Sequence, residues 1–136
     1  MITIKELDHI VLRAEDPQKM VDFYCDVLGC KLEKTQKKFG LFQLRAGRSI
    51  IDIVDVAGEI GQQGGKAPSS EGRNLDHFCV RVDPFDEKAI RTHLAKFNIT
   101  SEDASLRYGA EGSGPSIYIQ DPENNTVELK GPPNIG

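Results

Sequence analysis

The 136-residue chain has no apolar run approaching membrane-spanning length, and its N-terminus lacks the charged and apolar regions of a signal peptide. A cytoplasmic protein with no membrane partner is the expectation. Basic excess is also missing. The formal net charge is −4, which argues against nucleic acid as a partner, because phosphate binding needs a concentrated basic surface. Lys34, Lys37 and Lys38 form the one basic run, read as a solvated strand end. Low-complexity blocks are absent. The cysteines, Cys25, Cys30 and Cys79, are odd in number and form no C-x-x-C pair, so neither a disulfide framework nor a zinc ribbon is indicated. Each reads as a small buried hydrophobe. The length suits about one domain whose core needs no disulfide support.

What the chain does have is a repeat. Leu7-Asp8-His9-Ile10-Val11-Leu12-Arg13 returns as Leu75-Asp76-His77-Phe78-Cys79-Val80-Arg81. Residues two apart on a strand share a face. His9 therefore groups with Val11 and Arg13, and His77 with Cys79 and Arg81, while Asp8, Ile10 and Leu12 take the opposite side. A histidine at the same place in two similar strands predicts a duplicated unit that points both imidazoles at one centre.

Alternation predicts a first strand from Ile4 to Arg13. Asp16-Pro17 gives a helix start, and Met20, Phe23, Tyr24, Val27 and Leu28 follow at helical spacing, with Gly29 as the stop. Three strands are expected next, at 31–36, 41–45 and 49–54. If Gly47 is the centre of the hairpin, Phe42 lies opposite Asp52. Asp52 then stands on the face away from the helix, as a metal ligand or as a satisfied edge residue. Residues 57–73 read as a connection. The second unit repeats the order: a strand from Leu75 to Val82, a helix start at Asp83-Pro84, and a stripe of Ile90, Leu94 and Phe97 stopped at Asn98. His93 lies off that stripe. A weak strand at 102–106 precedes a glycine-rich loop from Tyr108 to Gly114, either a surface loop or a lid over substrate. A hairpin closes the unit, with strands at 115–120 and 125–130 and Tyr118 opposite Glu128. The reading is one domain over 1–136, with module one at 4–56 and module two at 74–131. Two sheets, each backed by a helix, could curl around a common cavity.

On the faces turned from the helices the pattern places His9, Asp52, His77 and Glu128. Two imidazoles and two carboxylates suit a borderline divalent ion with water completing its shell, and open positions would let substrate oxygens bind and be polarised. Nickel, cobalt or zinc fit best, with iron or manganese as alternatives. A lone histidine in a strand also reads as a satisfied core or rim residue; duplication of the set favours the ligand reading.

Leu12 to Pro17, Asp22-Phe23-Tyr24 and Val27-Leu28-Gly29 resemble the start of glyoxalase I, and Ile119-Gln120-Asp121-Pro122 with Val127-Glu128-Leu129 resembles its last hairpin. Nearly the whole chain resembles the vicinal-oxygen-chelate superfamily of glyoxalases, extradiol dioxygenases, and fosfomycin and bleomycin resistance proteins. The resemblance implies an α+β fold of two βαβββ modules forming a curled mixed sheet, a small-molecule substrate and a homodimer. It implies His9, Asp52, His77 and Glu128 as metal ligands and Glu128 also as the proton-transfer base of a lactoylglutathione lyase-type reaction on a hemithioacetal. Arg13 matches an arginine that binds a glutathione carboxylate; otherwise it is a rim charge. Phe42 and Tyr118 are the other substrate-binding candidates. Asp52 stands where the family usually has glutamate, and Val56 where glyoxalase I has an asparagine that contacts glutathione. Residues 107–112 look more like small glyoxalase-domain proteins. The alternatives are an iron-dependent extradiol-type dioxygenase using two histidines and one carboxylate, and a protein that sequesters a small molecule or antibiotic.

Overall fold

The computed structural model describes residues 1–133 and divides into two compact units, Met1–Gly72 and Arg73–Gly136. The first contains β1 (His9–Ala14), α1 (Pro17–Asp22), β2 (Lys31–Gln36), β3 (Leu41–Ala46) and β4 (Ser49–Asp55). The second contains β5 (Phe78–Arg81), α2 (Glu87–Ala95), β6 (Ser105–Gly109), β7 (Gly112–Gln120) and β8 (Thr126–Lys130). The two sheets have the same order, β1-β4-β3-β2 and β5-β8-β7-β6. In each, the first strand runs parallel to the last and the other pairs are antiparallel. The expected strand–helix–three-strand order therefore holds in both halves.

In the first unit Asp16 caps α1 by accepting the Lys19 N–H at 3.1 Å, and Pro17 takes the first position, where a missing N–H costs nothing. The helix continues as a wider π turn over Phe23–Val27 and ends at Gly29, whose φ of +74° a side chain would strain. Met20, Tyr24, Phe23 and Val27 are buried against the strand residues Leu44, Ile51 and Ile53. Each such side chain contributes roughly 1.5–3 kcal/mol of burial free energy. With one sheet face committed to this core, the other is left for His9, Val11, Gln43 and Asp52.

Several boundaries differ from those the pattern suggests. The first strand begins at His9, not Ile4; Ile4 and Leu7 are exposed and unpaired with any strand. Helix α2 begins after Asp86, whose carboxylate accepts the Ala89 N–H at 3.0 Å, and not at Asp83-Pro84. Leu94 is buried as expected, but Phe97 is exposed beyond the helix end and packs on the His93 ring. Asn98 does provide the left-handed stop, with φ +60°. The expected loop from Tyr108 to Gly114 is instead a tight hairpin, since β6 runs through Gly109 and β7 starts at Gly112. That pairing leaves no free lid there.

Candidate functional site

The first hairpin is one residue out of the expected register. Its turn has two residues, Gly47 and Arg48, so its centre falls between them and Ala46 pairs with Ser49. Gln43 is therefore opposite Asp52, and Phe42 is opposite Ile53 on the core face. Phe42 does not share a face with Asp52, which corrects the reason for placing it at the site. The last hairpin turns about Glu123 and pairs Tyr118 with Glu128 as expected. Asp121 fixes that turn by accepting the Glu123 and Asn125 N–H groups at 2.9 and 3.0 Å.

In the first unit His9 is half-exposed, and Asp52 is buried at 4% exposure on the same face. The His9 Nδ1 lies 2.7 Å from the Asp8 carboxylate. A carboxylate only accepts, so Nδ1 carries the proton and the neutral ring keeps its lone pair on Nε2. The hydrogen bond to Asp8 raises the His9 pKa, with Asp52 adding to the effect. Burial pushes the Asp52 carboxyl above its ordinary value, opposed by the Gln43 side chain and by His9. Among the described residues Asp52 Oδ1 is buried with no hydrogen-bond partner.

The second unit repeats this arrangement. His77 Nδ1 lies 2.7 Å from Asp76, and its Nε2 lies 3.3 Å from Glu128 Oε1. With Nδ1–H donated to Asp76, a neutral ring would set the Nε2 lone pair against a carboxylate oxygen, which is repulsive unless a proton or a cation lies between. Two donors in adjacent positions on one ion at about 2.1 Å are themselves about 3 Å apart, so the spacing fits a shared divalent ion. Tyr118 packs edge-on against His77 at 5.4 Å between centroids, and the Arg107 guanidinium lies 4.4 Å from the Tyr118 ring centroid. Burial raises the Tyr118 pKa, with the Glu128 charge next in effect. Cys79, opposite Glu128 in the register, is an exposed residue and Cys25 is half-buried, so of the three cysteines only Cys30 is the buried hydrophobe expected; the Cys79 thiol is nonetheless pushed up to about 11, by desolvation of the sulfur and by the Glu128 charge. A cleft of about 480 Å³ opens beside Arg107 and Tyr118, lined also by Thr100 and Ser101.

Each unit thus holds one imidazole–carboxylate pair. Among the described residues no group of three or more His, Cys, Asp or Glu is gathered closely enough to hold a metal. The donor types, the orphaned Asp52 oxygen and the two oriented imidazoles nonetheless fit an ion pair by pair.

Arg13 is differently employed. Its guanidinium donates to the carbonyls of Gly61, Gly65 and Lys66, with Nη2 to Gly61 at 2.9 Å and Nη1 to Lys66 at 3.0 Å. It holds residues 61–66 against β1 within the first unit. Sequence reasoning missed Asp8, Asp76, Gln43 and Arg107. Alternation assigned Asp8 to the far face, but both aspartates precede their strands, where alternation does not apply; the Leu-Asp-His repeat itself was the available signal.

Two four-stranded mixed sheets, each with one helix and each carrying a histidine–carboxylate pair, define a duplicated βαβββ protein. The sequence profile of the Glyoxalase/Bleomycin resistance protein/Dioxygenase superfamily matches residues 6–129, and the chain belongs to that superfamily. It is 27% identical over 133 residues to the glyoxalase domain-containing protein RDO1 of Mycosarcoma maydis, covering 94% of this chain and 69% of that protein. It is also 27% identical over 125 residues to the lactoylglutathione lyase of Salmonella typhimurium, covering 89% of this chain and 88% of the lyase. An integron cassette protein from V. cholerae superposes with a TM-score of 0.76 at 26% identity, over 96% of this chain and 98% of that one. Members of the superfamily are often enzymes acting on small molecules, and divalent metals are common among them. Among the described residues no helix is long and apolar enough to cross a membrane.

Proposed function

We propose that the protein is a metal-dependent lyase or isomerase acting on the hemithioacetal of a small thiol and a 2-oxoaldehyde, with His9, Asp52, His77 and Glu128 as the metal ligands. The observation that carries this reading is the contact between His77 Nε2 and Glu128 Oε1 at 3.3 Å with the ring's other nitrogen held by Asp76. A divalent ion there would supply Lewis acidity to the substrate oxygens. The oriented imidazoles follow the carboxylate–histidine arrangement that fixes a ligand tautomer. Asp52 Oδ1, buried and without a hydrogen-bond partner among the described residues, favours four ligands over the two-histidine, one-carboxylate set of the dioxygenase reading.

Glu128 is the base. It is buried at 6% exposure, so little water competes for its oxygens, and Tyr118 and Cys79 are its neighbours in the register. It removes the proton from the carbon bearing sulfur and hydroxyl and returns it to the neighbouring carbon, while the hydroxyl proton passes from the first oxygen to the former ketone oxygen, converting hemithioacetal to the 2-hydroxy thioester with no net change in atoms. The Tyr118 ring walls this side of the site. A homodimer, expected from the superfamily, is checked by sedimentation.

The test is turnover of methylglyoxal with glutathione by protein loaded with nickel, cobalt or zinc in turn. Activity with at least one ion is expected, and Glu128→Gln should lower kcat by roughly 10²–10⁴ while leaving the circular dichroism spectrum unchanged. Silence with every ion would remove this substrate, and an active Glu128→Gln would remove the base.

A further inference from the structure

The two halves of the duplication part at one connection. In the first unit the helical turns end at Val27 and β2 begins at Lys31, so three residues, 28–30, join them. In the second, α2 ends at Ala95 and β6 begins at Ser105, so nine residues, 96–104, make the same step. The Ile99 N–H returns to the Leu94 carbonyl at 3.1 Å, which closes the helix end. The added length beyond it lies against β7: Thr100, Ser101 and Asp103 line the cleft of about 480 Å³ together with Arg107 and Tyr118.

A segment outside the sheet has no ladder to fix it, and its polar groups need other partners. Here the partners come from α2. Glu87 and Arg91 stand four residues apart on one face of that helix. The Arg91 Nη2 donates to the Ser101 carbonyl at 2.7 Å, and Nη1 donates to the Asp103 carboxylate at 2.5 Å and lies 3.5 Å from Glu87. The Glu87 carboxylate accepts the Ala104 N–H at 2.7 Å. Asp103 is solvent-exposed, so its ion pair adds little. The bonds to the Ser101 carbonyl and from the Ala104 N–H are partly buried and charge-assisted, and they carry the hold.

The wall so held faces the candidate chemistry. Tyr118 is the register partner of Glu128 and packs on His77, so the cleft adjoins the reacting end of the site. We propose that Glu87 and Arg91 are positioning residues. Neither is among the residues that line the cleft; acting through residues 101–104, they fix its wall and with it the grip on the non-reacting part of the substrate. That substrate lies in the cleft rests on the lyase reading; that these two side chains set the wall does not.

The three tyrosines provide internal references, since Tyr24 is fully buried, Tyr108 is 84% exposed and Tyr118 is 37% exposed. Full-length parent and variants are treated with N-acetylimidazole, and the modified tyrosines are mapped by peptide mass spectrometry. In Arg91→Ala and in Glu87→Ala, Tyr118 should be acetylated at least about threefold faster, with Tyr108 unchanged and Tyr24 still protected, the mark of a local opening. Glu87→Gln, whose amide oxygen still accepts the Ala104 N–H, should leave Tyr118 as slow as in the parent. Where the methylglyoxal–glutathione adduct is turned over, Arg91→Ala should raise KM roughly tenfold and leave kcat within about twofold. Unchanged Tyr118 acetylation in both alanine variants, or acceleration at all three tyrosines, overturns the proposal, and so does a fall in kcat without a rise in KM. A parent chain with no turnover removes the lyase reading alone, because the acetylation rates are read without substrate and decide the positioning role by themselves.

Discussion

At the scale of single residues, Asp52 is the position where burial and chemistry conflict most openly. Its carboxyl is desolvated, one oxygen has no hydrogen-bond partner among the described residues, and its pKa is raised above the ordinary 3.8. The folded chain therefore holds that proton more tightly than the unfolded chain does. Stability from this group is complete below 3.8 and is lost as pH rises through the higher folded value. In chelator, Asp52→Asn should melt above the parent chain at pH 7, and the difference should close as the pH falls toward 3.8. Calorimetry across that range reads the slope directly; an Asn variant less stable at pH 7 would mean that the anion is well satisfied. The same substitution should weaken metal binding, which is the expected trade when a ligand is kept at a cost to the empty fold.

At the scale of elements, the helix caps and turns decide where each strand presents its residues. Asp86→Ala removes the carboxylate that accepts the Ala89 N–H and should cost about 0.5–2 kcal/mol by urea unfolding, whereas Asp83→Ala, outside the helix, should cost less than about 0.5 kcal/mol. This pair tests the one cap that pattern reading put in the wrong place. Asp83-Pro84 and Asp16-Pro17 look alike as dipeptides, but only the second is followed directly by an apolar stripe, and Asp86 with Glu87 offered a rival start. Strand identity was legible wherever alternation met a helix stripe, as in β4 and β8. Register was legible only where the turn was. A five-residue turn centred on Glu123 has a residue at its midpoint and preserves the Tyr118–Glu128 pair. The Gly47-Arg48 turn has none, and counting from Gly47 shifted Phe42 onto the wrong face. Asp8 and Asp76, which hold the histidine Nδ1 atoms, escaped because a period-two rule was extended into residues that are not strand.

At the scale of the whole molecule, the question is whether two similar halves serve one ion. Each half supplies an imidazole with its Nδ1 held by the preceding aspartate, and each supplies a buried carboxylate. Duplication of this kind is legible in sequence through the Leu-Asp-His repeat; the use made of it is a matter of energetic coupling. If both pairs ligate one ion, His9→Ala and His77→Ala each remove a ligand from the same shell, and their effects on affinity are coupled rather than independent. Cobalt titration of the parent chain should then give one tight ion per chain. Each single variant should lose most of the tight affinity, and the double variant should lose less than the sum of the two free-energy changes. Two independent half-sites predict a different pattern: two weaker ions per chain, and one lost with each histidine. The stoichiometry and the cycle are read in one experiment, without substrate, and the second pattern would dissolve the four-ligand set while leaving the fold and family as they stand.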